Sequence, residues 1–480
     1  MATDAVLPLA VAEARVEARS AGLRRELGLA DIVLAQLLTI IVPDFFGAAA
    51  KAGAYHVVFW LAAILLFFVP QAFVVAHMNR RIPLEGGLYQ WARLGFGETV
   101  GFMVGWNLWL YVVLNVAGIG LLATTYVAYA AGPGLAWLGA SKVAIAVTTV
   151  VVVAALMVVS LLGLGIGKWV NNFGSVVTMV TLAVLIALPF VNILRGAPAP
   201  HHGFAVAVPP LSLFHLSVFG KMAFGALCGF EYVAIFSGEC RNPGKNLARS
   251  VGIAAPVIAL VYIFGTGAIL SFVRPGDINV IGPIPQALSA GLGGIGLVRA
   301  VAPIAIILLL WNYLATFNVF FAGNARLPMV AGWERMLPEW FTRLDPQRRT
   351  PVNSVFFLGA ITVGVSLAVV IGAREQEAFE VLQICGFACY GLGYLALFAL
   401  PIAGFRREKM GLSVWLKIAA ASGFLVTLLF VTLSIFPIID VENPRAYALK
   451  TAGLILGANL LGGVILLYGK RRARGTITES

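Results

Sequence analysis

The chain has 480 residues, of which 60% are hydrophobic and only 11% charged, and its mean hydropathy is +0.94. A soluble core does not need that much apolar material spread along the whole length, so the composition excludes a water-soluble globular protein. The net charge of +12 does not point to nucleic acid, because the basic residues sit in short loops between apolar runs rather than on one face.

Residues 1–26 are polar and helix-prone, with Arg15, Arg19, Arg24 and Arg25 interleaved with acids, and lack the segment order of a removed signal peptide. Beyond them, runs of about 20 apolar residues recur, each long enough to cross roughly 30 Å of hydrocarbon. They predict twelve spans, at 27–50, 55–77, 98–122, 143–164, 168–191, 216–237, 250–273, 297–322, 352–371, 378–402, 413–437 and 447–469. The segments expected to face inward carry 23 of the 33 Lys and Arg, against eight on the outward segments. That bias predicts a multi-pass protein of the cell membrane with both termini in the cytoplasm. Two inner connections are more than links. Residues 78–97 mix charge, the Gly86-Gly87 pair and aromatics, and 323–350 is the longest inner loop, with a short amphipathic helix expected at Met336–Phe341. The outer loop 192–215 is rich in proline, and its adjacent His201 and His202 are expected to be solvated. Cys228, Cys240, Cys385 and Cys389 lie within or at the inner end of apolar segments, so neither a disulfide nor a metal site is expected.

Two of the spans are interrupted, the first at Val42-Pro43-Asp44 and the sixth at Gly225-Ala226-Leu227-Cys228-Gly229-Phe230-Glu231. Proline removes a backbone donor and glycine weakens the helix it interrupts. In hydrocarbon such breaks survive only where they are buried or line a cavity, and paired breaks in two halves of a chain point to a transporter's substrate site. Each break here carries a carboxylate.

The order of further motifs completes the pattern. Gly28-Leu29 opens the first span, Pro83-Leu84-Glu85-Gly86-Gly87-Leu88-Tyr89 follows the second, and Gly105-Trp106 lies in the third. Gly229-Phe230-Glu231 and Gly238-Glu239-Cys240-Arg241-Asn242-Pro243 follow in and after the sixth, then Arg326, Leu337-Pro338 and Thr350-Pro351 after the eighth. Over roughly residues 22–403 the chain resembles the amino acid–polyamine–organocation superfamily. That resemblance implies an all-α fold of two five-helix inverted repeats, 27–191 and 216–403, with discontinuous helices 1 and 6. The peripheral helices 11 and 12 (404–470) and a cytoplasmic tail (471–480) follow. It also implies alternating access around a midplane site between helices 1, 3, 6, 8 and 10.

The expected substrate-binding residues are Val42, Pro43, Asp44 and Phe45 at the first break and Phe224, Ala226, Leu227, Cys228 and Gly229 at the second. Trp109, Asn312 and Phe320 come from the surrounding helices, where Tyr111, Tyr313 and Tyr390 also lie. Where the family usually has a Gly-Ser-Gly break, this chain has Val42-Pro43-Asp44, and an ionised Asp44 would oppose a substrate carboxylate. Three arrangements are open: Asp44 binds the substrate's amine, is neutral through burial, or pairs with Lys221. A structural alternative makes it the N-cap of the second half of helix 1. Lys221, Glu231, Thr178 and Glu85 are the expected coupling and gating residues. Thr178 stands where many proton-driven relatives carry a lysine, which keeps Na⁺ open beside H⁺ as the coupling ion. Inner-loop residues Glu239, Arg241, Lys245, Arg249 and Arg326 are expected to form ion pairs with the neighbouring Arg80, Arg81, Glu85 and Arg93 that close the inner gate.

The reading is a secondary active transporter, not an enzyme, that carries an amino acid with H⁺ or by exchange and needs no cofactor. The alternative is a polyamine or organic amine transporter using Asp44 as the amine-binding carboxylate. The partners expected are the small-molecule substrate, the coupling ion and the lipid bilayer.

Overall fold

Hydrocarbon leaves a backbone no partner but itself, and the chain answers with helices. The computed structural model describes residues 9–131, 133–196, 199–278, 282–292, 298–333, 336–372, 375–405, 413–436 and 443–478. Among them, extended pairing is confined to two isolated bridges, Leu27 with Cys240 and Leu344 with Pro351.

Helix α1 (Leu9–Ser20) precedes the first span, which consists of α2 (Leu29–Ile40) and α3 (Pro43–Ala50), bent by 43° at the break. Helix α4 (Gly53–Arg81) contains a π turn at Ile64–Phe68. Pro70 explains it: the missing N–H frees the carbonyl of Leu66, which instead accepts the Ser422 hydroxyl at 2.7 Å. Then come α5 (Leu88–Phe96), α6 (Glu98–Ala117), α7 (Ile119–Ala131), α8 (Lys142–Leu162) and α9 (Leu164–Leu194). The sixth predicted span is α10 (Leu213–Gly220), a π turn (Lys221–Gly225), the break, and a 3₁₀ stretch (Tyr232–Glu239). It is followed by α11 (Pro243–Phe272), α12 (Pro283–Leu292), α13 (Val298–Trp333), α14 (Val352–Gly372), α15 (Glu375–Ala403), α16 (Val414–Leu433) and α17 (Pro444–Thr478).

Nine helices among the described residues are long and apolar enough to cross a membrane, or ten with the bent pair counted as one span. The sixth predicted segment is helical only in pieces and the ninth is a shorter apolar helix, Val352–Ala368, so both fall outside that count. The chain is therefore a multi-pass membrane protein. Burial separates centre from rim: the Glu98–Ala128 helix is 83% buried over its most apolar window, and Pro444–Lys470 only 11%, so most of the latter faces lipid.

The end of the bundle that carries Gly87, Glu85 and Arg326 is packed more tightly than the sequence suggests. Gly87 has φ +48°, and a Cβ there would meet the backbone of Ala234 and Ile235 at 2.9 Å, so the loop after α4 lies flush on the 3₁₀ stretch. Glu85 accepts the Gly238 N–H at 2.7 Å. Arg326 is not in a loop, as predicted, because α13 runs on to Trp333 and holds it inside the protein at 2% exposure. It grips the Glu239 carboxylate through Nε and Nη2, donates from Nη1 to the Ala322 carbonyl, and lies 3.8 Å from Glu85 and 5.0 Å over the Phe236 ring. Two facing carboxylates let a helix carry this charge. Arg80, Arg81, Lys245 and Arg249 are exposed, and the expected helix at Met336–Phe341 is a 3₁₀ turn at Glu339–Thr342. Burial and the neighbouring Glu239 push the Glu85 carboxyl well above its usual range, against the pull of Arg326 and the Gly238 N–H.

Removing one partner of a buried pair typically costs about 3–5 kcal/mol. Arg326→Met is thus expected to lower the thermal midpoint in detergent far more than Glu85→Gln, which preserves shape and the neutral state. Folded Glu85 keeps its proton above the ordinary value of 4.5, so its favourable contribution fades as pH rises from there. Glu85→Gln should flatten that loss. Equal destabilisation by the two variants, or an unchanged pH profile, would contradict this arrangement.

Candidate functional site

Pro43 has no N–H to donate and is preorganised for the first position of a helix, so α2 ends and α3 begins across it. Ile41 (φ −82°, ψ 86°) and Val42 (φ −101°, ψ 125°) are left outside the helix. The groups they free are met by α11: the Tyr262 hydroxyl donates to the Ile40 carbonyl at 2.7 Å and accepts the Val42 N–H at 3.2 Å. One turn back, the Thr316 hydroxyl donates to the Leu38 carbonyl at 3.1 Å. Asp44 lies in the first turn of α3, where a helix dipole favours negative charge. Its carboxylate accepts the Tyr313 hydroxyl, and Tyr126 stands 3.5 Å beyond Tyr313.

The second break begins with the π turn that Lys221 opens and ends at Gly229, whose φ of +126° is rarely open to other residues. The Gly229 N–H donates to the Tyr394 hydroxyl at 2.6 Å. Gln71 of α4 donates to the Leu227 carbonyl at 2.8 Å and accepts the Phe230 and Gly229 N–H groups, each at 3.2 Å. Glu231 is fully buried and accepts the hydroxyls of Tyr390 and Tyr394, one turn apart on α15.

The two breaks touch. A Cβ on Gly225 would stand 2.6 Å from the Phe45 ring, and one on Gly229 would stand 3.1 Å from Ile40 Cγ1. Aromatic rings close the space around them. Phe45 meets Phe387 edge-on at 5.4 Å, Tyr111 stacks on Tyr390 at 4.2 Å, and Phe320 packs against both Tyr111 (5.5 Å) and Tyr232 (4.9 Å). Phe224 packs against Tyr390 at 6.1 Å and stacks on Phe430 at 4.6 Å. Ala226, Leu227 and Cys228 are buried within the second break.

Phe45 thus touches both breaks, Phe224 and Phe320 belong to the aromatic shell beside the second, and α6 contributes Tyr111 to that shell. Trp109 stacks on Trp106 (5.6 Å) and Phe357 (5.8 Å), and Trp106 bonds to Ala458 of α17, so this face of α6 looks away from the breaks. Asn312 donates to the Thr178 hydroxyl at 2.6 Å, and Thr178 in turn donates to the Gly174 carbonyl at 2.7 Å, a seam between α13 and α9 beside the site. Tyr262, Gln71 and Tyr394 are absent from the sequence-based set, although they hold the breaks open. A glutamine directly after Pro70 in an apolar run, and tyrosines at i and i+4 on α15, are the signals that mark two of them.

Chemically the site offers rings, hydroxyls, the buried Glu231 carboxylate and the half-buried Asp44 carboxylate. Among the described residues no group of three or more His, Cys, Asp or Glu is placed to hold a metal ion. Ring faces and hydroxyl oxygens suit an ammonium group.

Tyr262→Phe removes the hydroxyl from the buried Ile40 carbonyl and leaves the half-buried Val42 N–H with its 3.0 Å bond to that carbonyl alone, so it is expected to cost about 1–3 kcal/mol. Thermal unfolding of the purified variant checks this, and an unchanged midpoint would show that the first break does not need the brace.

Residues 31–456 match the family described as "Amino acid permease". An uncharacterized transporter of Legionella pneumophila is 25% identical over 382 residues, covering 79% of this chain and 81% of its own. The branched-chain amino acid permease BcaP of Bacillus subtilis is 24% identical and covers 71% and 74%. The probable agmatine/putrescine antiporter AguD of Lactococcus lactis is 23% identical over half of each chain.

Proposed function

The chain belongs to the amino acid permease family, and from that premise we propose that it is a secondary active transporter working by alternating access around the paired breaks. The substrate is an amino acid or a related amine, and H⁺ is the coupling ion, with Na⁺ as the alternative. The contact of the two breaks carries this reading, because paired interruptions in the two halves of a membrane protein mark a transporter's substrate site.

The bracing supports an inverted pair of five-helix repeats within twelve spans, 27–191 and 216–403. Tyr262 of the seventh span serves the break in the first, and Gln71 of the second span serves the break in the sixth. In such a pair the second and seventh spans correspond, so each repeat braces the other's interruption. The positive inner loops support cytoplasmic termini and residence in the cell membrane.

Asp44 favours a second reading of the substrate. It is the carboxylate of the first break, half-buried and held by Tyr313, and a substrate carboxylate placed there would meet its charge. A polyamine or organic amine would instead place a cation against it, as the name of the agmatine/putrescine relative suggests.

In proteoliposomes the protein is expected to show saturable, gradient-dependent uptake; conduction without saturation would contradict the transporter reading. Thermal-shift screening against leucine, agmatine and putrescine separates the substrate classes. A ligand at 100 times its Kd adds about 2.7 kcal/mol to the native state. On the amine reading the diamines stabilise the protein and Asp44→Asn abolishes the effect, whereas stabilisation by leucine alone would end that reading.

A further inference from the structure

The connection from α9 to α10 has the composition of a span without its secondary structure. Between Arg195 and Lys221 the chain holds no Asp, Glu, Lys or Arg. Residues 199–212 of that stretch lie outside any helix, yet their large apolar side chains are exposed. Phe204, Val206 and Val208 alternate along the chain at 36%, 67% and 84% exposure, and Leu211 reaches 93%. Leu213 and Phe214 carry the strip onto the first turn of α10. Contiguous apolar surface of this kind marks a contact with lipid or protein.

Three tethers fix the level at which the strip lies. The Ala207 N–H donates to the Ala54 carbonyl at 3.0 Å, in the first turn of α4. The His201 N–H donates to the Ser271 carbonyl at 3.2 Å, in the last turn of α11. His56, itself fully buried, donates from Nε2 to the Gly203 carbonyl at 2.9 Å. Gly203 lies so close to α11 that a Cβ there would collide with the Gly267 carbonyl oxygen. The strip is therefore held flat against the ends of two spans.

Its neighbour on α11 identifies what covers it. Ile253, Val257, Leu260 and Phe264 recur at helical spacing on that span and are all exposed, so this stripe faces lipid. Phe264 ends the stripe, and Phe204 packs against its ring at 6.0 Å. The apolar surface of the strip thus continues the lipid-facing surface of α11. Its backbone sets the depth. The hydrocarbon core would leave the free N–H groups of a non-helical chain unpaired, whereas the headgroup region supplies partners. Pro200, Pro209 and Pro210 carry no N–H at all, which lowers the cost of approaching the acyl chains.

We propose that residues 204–214 form a non-helical interfacial anchor, seated on the lipid surface at the boundary of headgroups and acyl chains. The strip carries no charge, so its hold is apolar and does not require anionic lipid. Through Ala54 and His56 it fastens the connection between α3 and α4, and with it the second half of the interrupted first span, to the membrane surface. None of this depends on which substrate is carried.

Cys228, Cys240, Cys385 and Cys389 are buried, so an added surface cysteine takes a spin label selectively. The test labels Val208→Cys and, as a second site, Leu211→Cys in the full chain, reconstituted in phosphatidylcholine vesicles. Electron paramagnetic resonance compares collisions with oxygen, which partitions into lipid, and with a nickel chelate, which stays in water. Gly276→Cys, in the exposed turn after α11, is the aqueous reference, and Leu260→Cys on the α11 stripe is the lipid reference. Both strip labels are expected to favour oxygen over the chelate and to report a depth of about 5–10 Å. Chelate contact equal to that at position 276 puts the strip in water and overturns the anchor. Protection from both reagents means that a second copy of the chain covers the strip, and overturns it equally.

Discussion

A backbone N–H or carbonyl released inside hydrocarbon must find a partner, and everything at the centre of this protein follows from how that demand is met. Pro43 and Gly229 end helices where no water is at hand. Tyr262, Tyr394 and Gln71 supply the missing partners from neighbouring helices. The breaks are therefore not slack segments. Each is tied to another span, so neither half of an interrupted helix can rotate without exchanging those bonds for others. Transporters that work by tilting half-helices need this kind of discrete alternative.

The tie extends along the 3₁₀ stretch. Tyr232, three residues beyond Gly229, donates to the Phe320 carbonyl of α13 at 2.7 Å, and six residues further along the same helix Arg326 grips Glu239. The 3₁₀ stretch from Tyr232 to Glu239 is thus held at both ends by one helix, and at its flank by the glycine-rich loop carrying Glu85. A 3₁₀ geometry stores poorer hydrogen bonds than an α-helix, so it suits a segment that changes partners. The linkage ties the second break mechanically to the Arg326–Glu239 contact.

The sequence makes the breaks legible because proline and glycine announce their backbone effects directly, and it makes Glu231 legible because a carboxylate in an apolar run must have a purpose. It hides the braces. A tyrosine such as Tyr262 or Tyr394 reads as apolar filler until its hydroxyl is seen against a freed amide. The π turn at Lys221–Gly225 is hidden as well, since no residue pattern announces it. Arg326 misleads in the opposite sense. A charge ordinarily marks the end of a span, and only the convergence of Glu85 and Glu239 from distant segments lets a helix keep it inside. Trp109 misleads through register, because its neighbour two residues on, Tyr111, holds the face toward the breaks.

The most direct measurement is an electron cryo-microscopy map of the protein in lipid with its transported substrate bound. The account predicts density lying against the backbone of residues 40–42 and of residues 227–229 at once, bordered by Phe45 and Tyr111. Density that touches only one break, or lies outside both while the two remain in contact, would contradict it.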